Sequence, residues 1–136
     1  MYSHITEIRV RYAETDKMGY VYHGNYATYF EVARVEAMKA LGISYKELEE
    51  KGIMMPVLEL KTKYIRPAKY DDLLKINLMV KNMPSMRILF EYETFNEAEE
   101  LLNKAETTLV FVSAEHMKPI LPPQELMEAL RPFIKE

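Results

Sequence analysis

The hydrophobic pattern changes its period within the first third of the chain. Residues 4–13 alternate between apolar and polar, with Tyr12 on the apolar side, which predicts a strand. From 26 to 41 the apolar residues recur at helical spacing, which predicts a long helix, and Gly42 follows where a helix end favours glycine. Residues 14–25 fit neither period, so we predict a loop between the strand and the helix.

The rest of the chain is predicted to be mostly β structure. A short helix precedes it, because Ser44 and Glu47 form an S-x-x-E capping box and Gly52 ends the segment. Pro122 and Pro123 introduce a last helix with an apolar stripe. Between these two helices lie four segments that favour strands and are separated by turns, namely 55–66, 73–81, 87–94 and 101–114.

The order of these elements predicts the fold class. Strands that follow one central helix, instead of alternating with helices, indicate an α+β fold with an antiparallel five-stranded sheet. One long apolar helix needs a sheet that curves around it. The strands also carry apolar residues on part of the second face and leave free edges, so we expect pairing with another copy of the chain.

The composition is that of a globular protein with one core. A chain of 136 residues, of which 49% are apolar, fits one domain spanning 1–136. The net charge is −3 and no run is rich in Lys or Arg, so general nucleic-acid binding is not expected. We expect a cytoplasmic protein, because no signal-peptide pattern opens the chain and no apolar run approaches the ~20 residues that span a bilayer.

Neither a metal nor a cofactor is predicted. The sequence has no Cys, which excludes disulfides, thiol nucleophiles and Cys-based zinc sites. The histidines are too scattered for a recognisable metal motif: His4, His23 and His116.

The loop before the long helix carries the residues with the clearest chemistry. Asp16 lies at its centre, His23 comes just before the helix, and Asn25 is the expected N-cap. The first amides of a helix are unpaired donors at the positive end of its dipole, where a developing oxyanion is stabilised. A carboxylate beside such a site is sufficient to hydrolyse an activated acyl group such as a thioester. By itself this spacing is a weak signal, since most loop Asp residues form turns or are solvated.

A longer motif surrounds Asp16 and extends through most of the chain. The matching positions in the loop are Tyr12, Glu14, Asp16, Gly19, Val21 and Tyr22-His23-Gly24-Asn25-Tyr26. The similarity continues at Tyr29-Phe30-Glu31, Ala33-Arg34, Glu36, Tyr64-Ile65-Arg66-Pro67-Ala68, Asp71-Asp72 and Lys118-Pro119. This pattern resembles that of hotdog-fold thioesterases of the 4-hydroxybenzoyl-CoA thioesterase-like branch, and most of all the small bacterial YbgC-type acyl-CoA thioesterases.

The resemblance implies a role for each matching residue. Asp16 would be the catalytic carboxylate, acting as a nucleophile or as a general base on water. His23 would help to place the substrate or the water, and Tyr12 would line the site and hydrogen-bond Asp16. The thioester carbonyl would be polarised by backbone amides at the helix start, near Gly24, Asn25 and Tyr26. Tyr20 departs from the smaller residues common in the family and would narrow the acyl pocket.

The resemblance also implies the partners. The family functions as dimers or dimers of dimers, with acyl-CoA lying across a subunit interface, so we expect a homo-oligomer such as a homotetramer. Three cations are candidates for contacts with the CoA phosphates, although a solvated charge is the simpler interpretation of each: Arg66, Arg87 and Lys118. Glu31, Arg34 and Glu36 are interpreted as a helix-surface or interface ion network.

Two other functions fit the same fold. A hotdog hydratase or dehydratase also binds thioesters, but it needs a differently placed acid and base, whereas the spacing of Asp16 and His23 fits the thioesterase pattern better. A non-catalytic acyl-CoA-binding module is the second alternative, because a fold does not determine a function. Asp16 argues against it, since a binder has no need of a carboxylate facing a thioester.

Overall fold

A five-stranded antiparallel sheet packs around one long helix in this computed structural model, which describes residues 1–135. The elements in chain order are β1 (Tyr2–Arg9), a 3-10 turn (Tyr12–Glu14), α1 (Asn25–Ala40), α2 (Tyr45–Glu50), β2 (Ile53–Met54), β3 (Val57–Tyr64), β4 (Leu73–Val80), β5 (Arg87–Phe95), β6 (Leu101–Val110), β7 (Val112–Ser113) and α3 (Gln124–Leu130). The strand order in the large sheet is β1-β4-β5-β6-β3. The predicted α+β architecture is confirmed.

Helix α1 buries one face against the sheet. The buried hydrophobic side chains recur every three or four residues: Tyr26, Tyr29, Phe30, Ala33, Ala37 and Met38. The ring of Phe30 stacks on that of Tyr92 in β5, with 4.5 Å between the ring centroids. Burying one large apolar side chain contributes roughly 1.5–3 kcal/mol, so several of them hold the helix firmly in place. The start of α1 is therefore a fixed point on which a site can be built.

The first strand ends earlier than predicted. Strand β1 stops at Arg9, and the chain enters the 3-10 turn at Tyr12 instead of continuing as a strand to residue 13. The reason is Glu14, whose carboxylate accepts a hydrogen bond from the backbone N–H of Arg11 at 2.8 Å and closes the turn. As a result Tyr12 lies on the surface, 77% exposed, and not on the apolar side of a strand.

Arg34 is buried rather than exposed on the helix. We predicted a surface or interface ion network with Glu31 and Glu36, but Arg34 is only 8% exposed. Its Nη1 donates to the hydroxyl of Tyr92 at 3.1 Å, and that hydroxyl lies 2.7 Å from Oγ1 of Thr107. The prediction is wrong for Arg34 because position 34 falls on the buried face of α1.

The two edges of the sheet, β1 and β3, pair with no further strand of residues 1–135. Strand β3 is exposed along nearly its whole length. Its exposed aliphatic side chains are Val57, Leu58 and Leu60 at 47%, 54% and 42%. The unpaired N–H and C=O groups of a long exposed edge strand are a template for pairing with another chain. Within the part of the chain described, no helix has the length and apolar character to cross a membrane.

Candidate active site

The loop before α1 is a tight hairpin with Asp16 near its tip. The backbone N–H of Tyr22 donates to the carbonyl of Glu14 at 2.9 Å, and that of Asp16 donates to the carbonyl of Tyr20 at 2.7 Å. Gly19 closes the turn with a φ of 79°, a left-handed conformation that glycine adopts without strain. This pairing fixes Asp16 relative to the segment that leads into α1.

Asp16 is held by backbone amides through one carboxylate oxygen. Its Oδ1 accepts hydrogen bonds from the N–H groups of Met18 at 2.9 Å and Tyr20 at 3.2 Å. This is an Asx-turn, the ordinary role of an Asp in a loop. It does not use the whole carboxylate, because Oδ2 takes part in neither bond. Since the side chain is exposed and lines a groove, that second oxygen is available to a ligand.

An open groove of about 400 Å³ adjoins Asp16. Its walls come from the hairpin, the start of α1 and the residues that end and follow β3. They are Asp16, Tyr20, Val21, His23, Tyr26, Tyr64, Ile65, Arg66 and Pro67. The lining combines aromatic rings with one carboxylate and one guanidinium. Such a composition suits an apolar group that is attached to an anionic carrier.

A cavity of about 430 Å³ lies elsewhere, on the face of the sheet turned away from α1. Its lining is mostly lysines and glutamates, which include two ion pairs, Lys61 with Glu106 at 3.7 Å and Lys81 with Glu91 at 3.4 Å. Exposed pairs of this kind mark a solvated surface. The groove is the better candidate because there a carboxylate lies beside a helix terminus.

Helix α1 begins without a side-chain cap. Gly24 is the N-cap residue, and Asn25, which we predicted as the N-cap, is the first residue of the helix. The side-chain amide of Asn25 donates instead to the carbonyl of Glu14 at 2.8 Å and ties the helix to the hairpin. The N-cap prediction is wrong because Asn25 serves a tertiary contact.

Two amides at the helix start donate to no acceptor within the described residues. The N–H of Asn25 donates to the carbonyl of Tyr22 at 2.9 Å, and the N–H of Tyr26 donates to the carbonyl of His23 at 3.2 Å. The N–H groups of His23 and Gly24, by contrast, donate to no backbone carbonyl in residues 1–135. Both lie at the positive end of the α1 dipole, where a negative charge is stabilised.

Gly24 allows a close approach of the backbone to an aromatic ring. A Cβ atom on Gly24 would lie 2.6 Å from Cε2 of Tyr22. The Tyr22 ring in turn packs on the imidazole of His23, with 4.5 Å between the ring centroids. Glycine at this position therefore permits the packing that sets His23 beside the groove.

Two tyrosines connect the helix start to the end of β3. Tyr26 is buried, and its ring centroid lies 5.8 Å from that of Tyr64. Burial, with a smaller effect of Tyr64, raises the pKa of Tyr26 to about 12, so its phenol is neutral near pH 7. The hydroxyl of Tyr64 donates a long hydrogen bond of 3.5 Å to the carbonyl of His23.

The structure brings together only part of the predicted set. The predicted residues that line the groove are Asp16, His23, Tyr26 and Arg66. Tyr12 is not among them, because its ring packs on Tyr70 with 5.6 Å between the centroids. Arg87 begins β5 and Lys118 lies in the loop after β7, and neither lines the groove within one chain.

Glu14 is a buried residue whose contribution the sequence did not reveal. Its carboxylate accepts hydrogen bonds from Nη2 of Arg11 at 2.8 Å and from the hydroxyl of Tyr29 at 2.9 Å. Burial acts to raise the pKa of Glu14, but the hydrogen bonds from Arg11 and Tyr29 outweigh it and hold this pKa below its usual value. Burial, together with the negative charge of Glu14, raises the pKa of Tyr29 well above its usual value.

Acid unfolding tests the ionised state of Glu14. Because its folded-state pKa lies below its ordinary value of 4.5, ionised Glu14 stabilises the fold above that pH, and the stabilisation is lost as the pH falls through the folded-state pKa. We expect Glu14→Gln to lower the free energy of unfolding at pH 7 and to weaken its decline in acid. Urea unfolding from pH 3 to pH 7 measures both effects. An equally steep acid decline in the two proteins would contradict this account.

The sequence matches the family described as the Thioesterase-like superfamily over residues 10–130. The putative acyl-CoA thioesterase YneP of Bacillus subtilis (strain 168) is 38% identical over 114 residues, which are 84% of this chain and 83% of that protein. The acyl-CoA thioester hydrolase YbgC of Escherichia coli O157:H7 is 32% identical over 120 residues, which are 88% of this chain and 90% of that protein.

Solved structures show the same likeness. A DHNA-CoA thioesterase from Staphylococcus aureus is 44% identical and superimposes with a TM-score of 0.86, covering 89% of this chain and 81% of the other. A 4-hydroxybenzoyl-CoA thioesterase with 20% identity gives a TM-score of 0.85 over 95% of this chain and 99% of its own, which shows the shared fold.

The chain belongs to the thioesterase-like superfamily, as a hotdog-fold thioester hydrolase of the YbgC type. The fold and the family predicted from the sequence are thereby confirmed. The roles of the individual site residues stay predictions.

Proposed function

We propose that this chain hydrolyses acyl-CoA thioesters to the free acid and CoA, with Asp16 as the catalytic carboxylate. The proposal rests on the arrangement of Asp16 and the two amides. The Asx-turn leaves one oxygen of Asp16 free at a groove that His23 also lines, and the amides of His23 and Gly24 donate to no acceptor within residues 1–135. The named activities of YneP and YbgC support the same reaction.

The two free amides offer a binding place for the thioester oxygen. As a tetrahedral intermediate forms, negative charge develops on that oxygen and is stabilised by fixed N–H donors and by the helix dipole. Removing one such donor typically costs about 10²–10³ in turnover. The amides of His23 and Gly24 take this role in place of those of Asn25 and Tyr26, which already donate to carbonyls.

Asp16 completes the reaction by one of two routes. As a nucleophile, its Oδ2 attacks the carbonyl carbon, the CoA thiolate leaves, and water then hydrolyses the resulting mixed anhydride. As a general base, it takes a proton from a water molecule that attacks the carbonyl carbon, and the same thiolate leaves. In both routes the imidazole of His23, at the wall of the groove, helps to place the water or the substrate.

Arg66 is the cation best placed for a CoA phosphate. It lines the groove together with Asp16. Its ion pair with Glu100 at 3.5 Å is exposed on both sides, and such pairs contribute little, so the guanidinium can exchange Glu100 for a phosphate. Arg87 and Lys118 lie outside the groove of their own chain and would contact CoA only from a second subunit.

A homo-oligomer fits the free edge of β3. Antiparallel pairing of this strand with its own copy across a two-fold axis would pair the free backbone groups of β3 in both subunits. It would also cover Leu58 and Leu60. Residues 64–67 line the groove, beginning with the last residue of this edge strand, so a partner subunit bound there would flank the site. The dimer, the homotetramer built from two such dimers, and the cytoplasmic location all remain predictions.

An aromatic acyl group is the first substrate to test. The rings of Tyr20, Tyr26 and Tyr64 line the groove, and aromatic rings pack favourably against a flat acyl group. The 44% identity to a structure described as a DHNA-CoA thioesterase supports the same choice.

Thiol release from a panel of CoA esters tests the proposal. The panel holds short and long aliphatic esters, benzoyl esters and 1,4-dihydroxy-2-naphthoyl-CoA. Because the chain has no Cys, a thiol reagent detects only the released CoA. Turnover with a clear preference for one ester supports the proposal. Hydration of an enoyl-CoA without thiol release would replace it by the hydratase, and ester binding without turnover would replace it by the binding module.

A further inference from the structure

Glu14 joins the hairpin that carries Asp16 to the helix that follows it. Its carboxylate accepts a hydrogen bond from the hydroxyl of Tyr29 at 2.9 Å, one turn into α1. Its backbone carbonyl accepts from the side-chain amide of Asn25 at 2.8 Å and from the N–H of Tyr22 at 2.9 Å. We call these three contacts the Glu14 clamp.

The Glu14 clamp connects the two parts of the proposed site, the carboxylate of Asp16 and the amides of His23 and Gly24. On one side, Glu14 lies two residues before Asp16, with only Thr15 between them. On the other side, Tyr22 directly precedes the free amides of His23 and Gly24. Bonds that meet at Glu14, together with the backbone bond from Asp16 to Tyr20, therefore set the distance between the proposed catalytic carboxylate and the amide donors.

Burial makes these contacts strong enough to fix positions. Glu14 is 9% exposed and Tyr29 is 2% exposed, so water competes poorly for their hydrogen bond. Arg11 adds two guanidinium contacts to the same carboxylate, at 2.8 and 3.2 Å, and keeps it ionised. Hydrogen bonds to a charged acceptor are about twice as strong as those between neutral groups.

We propose that Glu14 is a positioning residue, which holds Asp16 at its working distance from the amides of His23 and Gly24 through its bonds to Tyr29 and Asn25. The proposal rests on the catalytic role of Asp16 given above. A displacement of about 1 Å in a reacting group can lower turnover about 100-fold without loss of binding, so the clamp acts on kcat and not on KM.

Tyr29→Phe removes one clamp contact and keeps the ring. Tyr2→Phe is its matched control, because Tyr2 donates a buried hydrogen bond of 2.6 Å to the carbonyl of Ala37 in the same helix. Ala37 lies about 18 Å along the helix axis from Asn25, at the end remote from the groove. Each variant loses one buried tyrosine hydrogen bond that joins α1 to another segment, and we expect similar losses in Tm.

Turnover separates the two variants. With the best ester of the panel, we expect Tyr29→Phe to lower kcat about 10- to 100-fold with KM within about threefold of wild type. Tyr2→Phe should keep both values within about twofold of wild type. Glu14→Gln keeps an oxygen for the Tyr29 hydroxyl, and we expect it to retain more turnover than Tyr29→Phe.

Asp16→Asn, measured in parallel, distinguishes the possible failures. If Asp16→Asn is inactive while Tyr29→Phe turns over as fast as Tyr2→Phe, Glu14 has only a structural role and the proposed positioning role is wrong. If Asp16→Asn keeps full turnover, the proposed catalytic carboxylate is wrong and the clamp has nothing to position. A rise in KM alone in Tyr29→Phe would also overturn the inference, because it would indicate lost substrate binding.

Discussion

Replacing Asp16 with asparagine is expected to lower thioester turnover about a hundredfold or more while the fold stays intact. The Asn side chain has nearly the same size and keeps an Oδ1 that accepts from the amides of Met18 and Tyr20. The Asx-turn, and with it the hairpin, is therefore preserved. What is lost is the negative charge that either attacks the thioester or takes a proton from water. Thiol release with the best ester measures the loss.

The control for Asp16→Asn is the same substitution at an aspartate outside the groove. Asp71 is exposed and absent from the groove lining, so Asp71→Asn should turn over like wild type. Thermal unfolding of both variants checks that each is folded. Unchanged turnover in folded Asp16→Asn would remove Asp16 from the mechanism.

A charge on the free edge of β3 is expected to abolish association and most of the activity. Leu60 lies near the middle of β3, 42% exposed, so in a two-fold pairing it would lie close to its own copy. Leu60→Asp then places two like charges together at a desolvated edge, which is strongly unfavourable. We expect a shift from oligomer to monomer by light scattering, with at least a tenfold loss of turnover.

The opposite edge of the sheet provides the control for Leu60→Asp. Ile5 in β1 is 60% exposed and also lies on an edge strand, so Ile5→Asp introduces the same charge in a matched setting. It should leave both mass and turnover unchanged. An oligomer that survives Leu60→Asp would place the subunit contact elsewhere on the surface.

Hydrophobic periodicity predicted the helices and strands well because the local spacing of apolar residues determines where they form. The predicted helix at 26–41 is α1, shifted by one residue, since its buried face is visible in the spacing of apolar residues. The four predicted strands appear with small changes at their ends. The predicted strand 101–114 divides at Phe111 into β6 and β7, and β7 turns away to pair with β2.

Hydrogen bonds of individual polar side chains account for what the sequence could not predict. Asn25 has the chemistry of an N-cap, but its amide is taken by Glu14, eleven positions earlier. Tyr12 continues an alternating pattern, yet the chain leaves the strand before it because Glu14 binds the amide of Arg11. Glu14 itself stands in the motif around Asp16, but only the fold shows that Tyr29 is its partner.

The edge strand β3 ends in the residues that line the groove, and this has a consequence for how the enzyme would behave in a test tube. If a second subunit must lie on that edge to complete the groove, subunit dissociation and inactivation are the same event. Specific activity would then fall as the sample is diluted below the dissociation constant of the dimer. It would return with a lag when the protein is concentrated again.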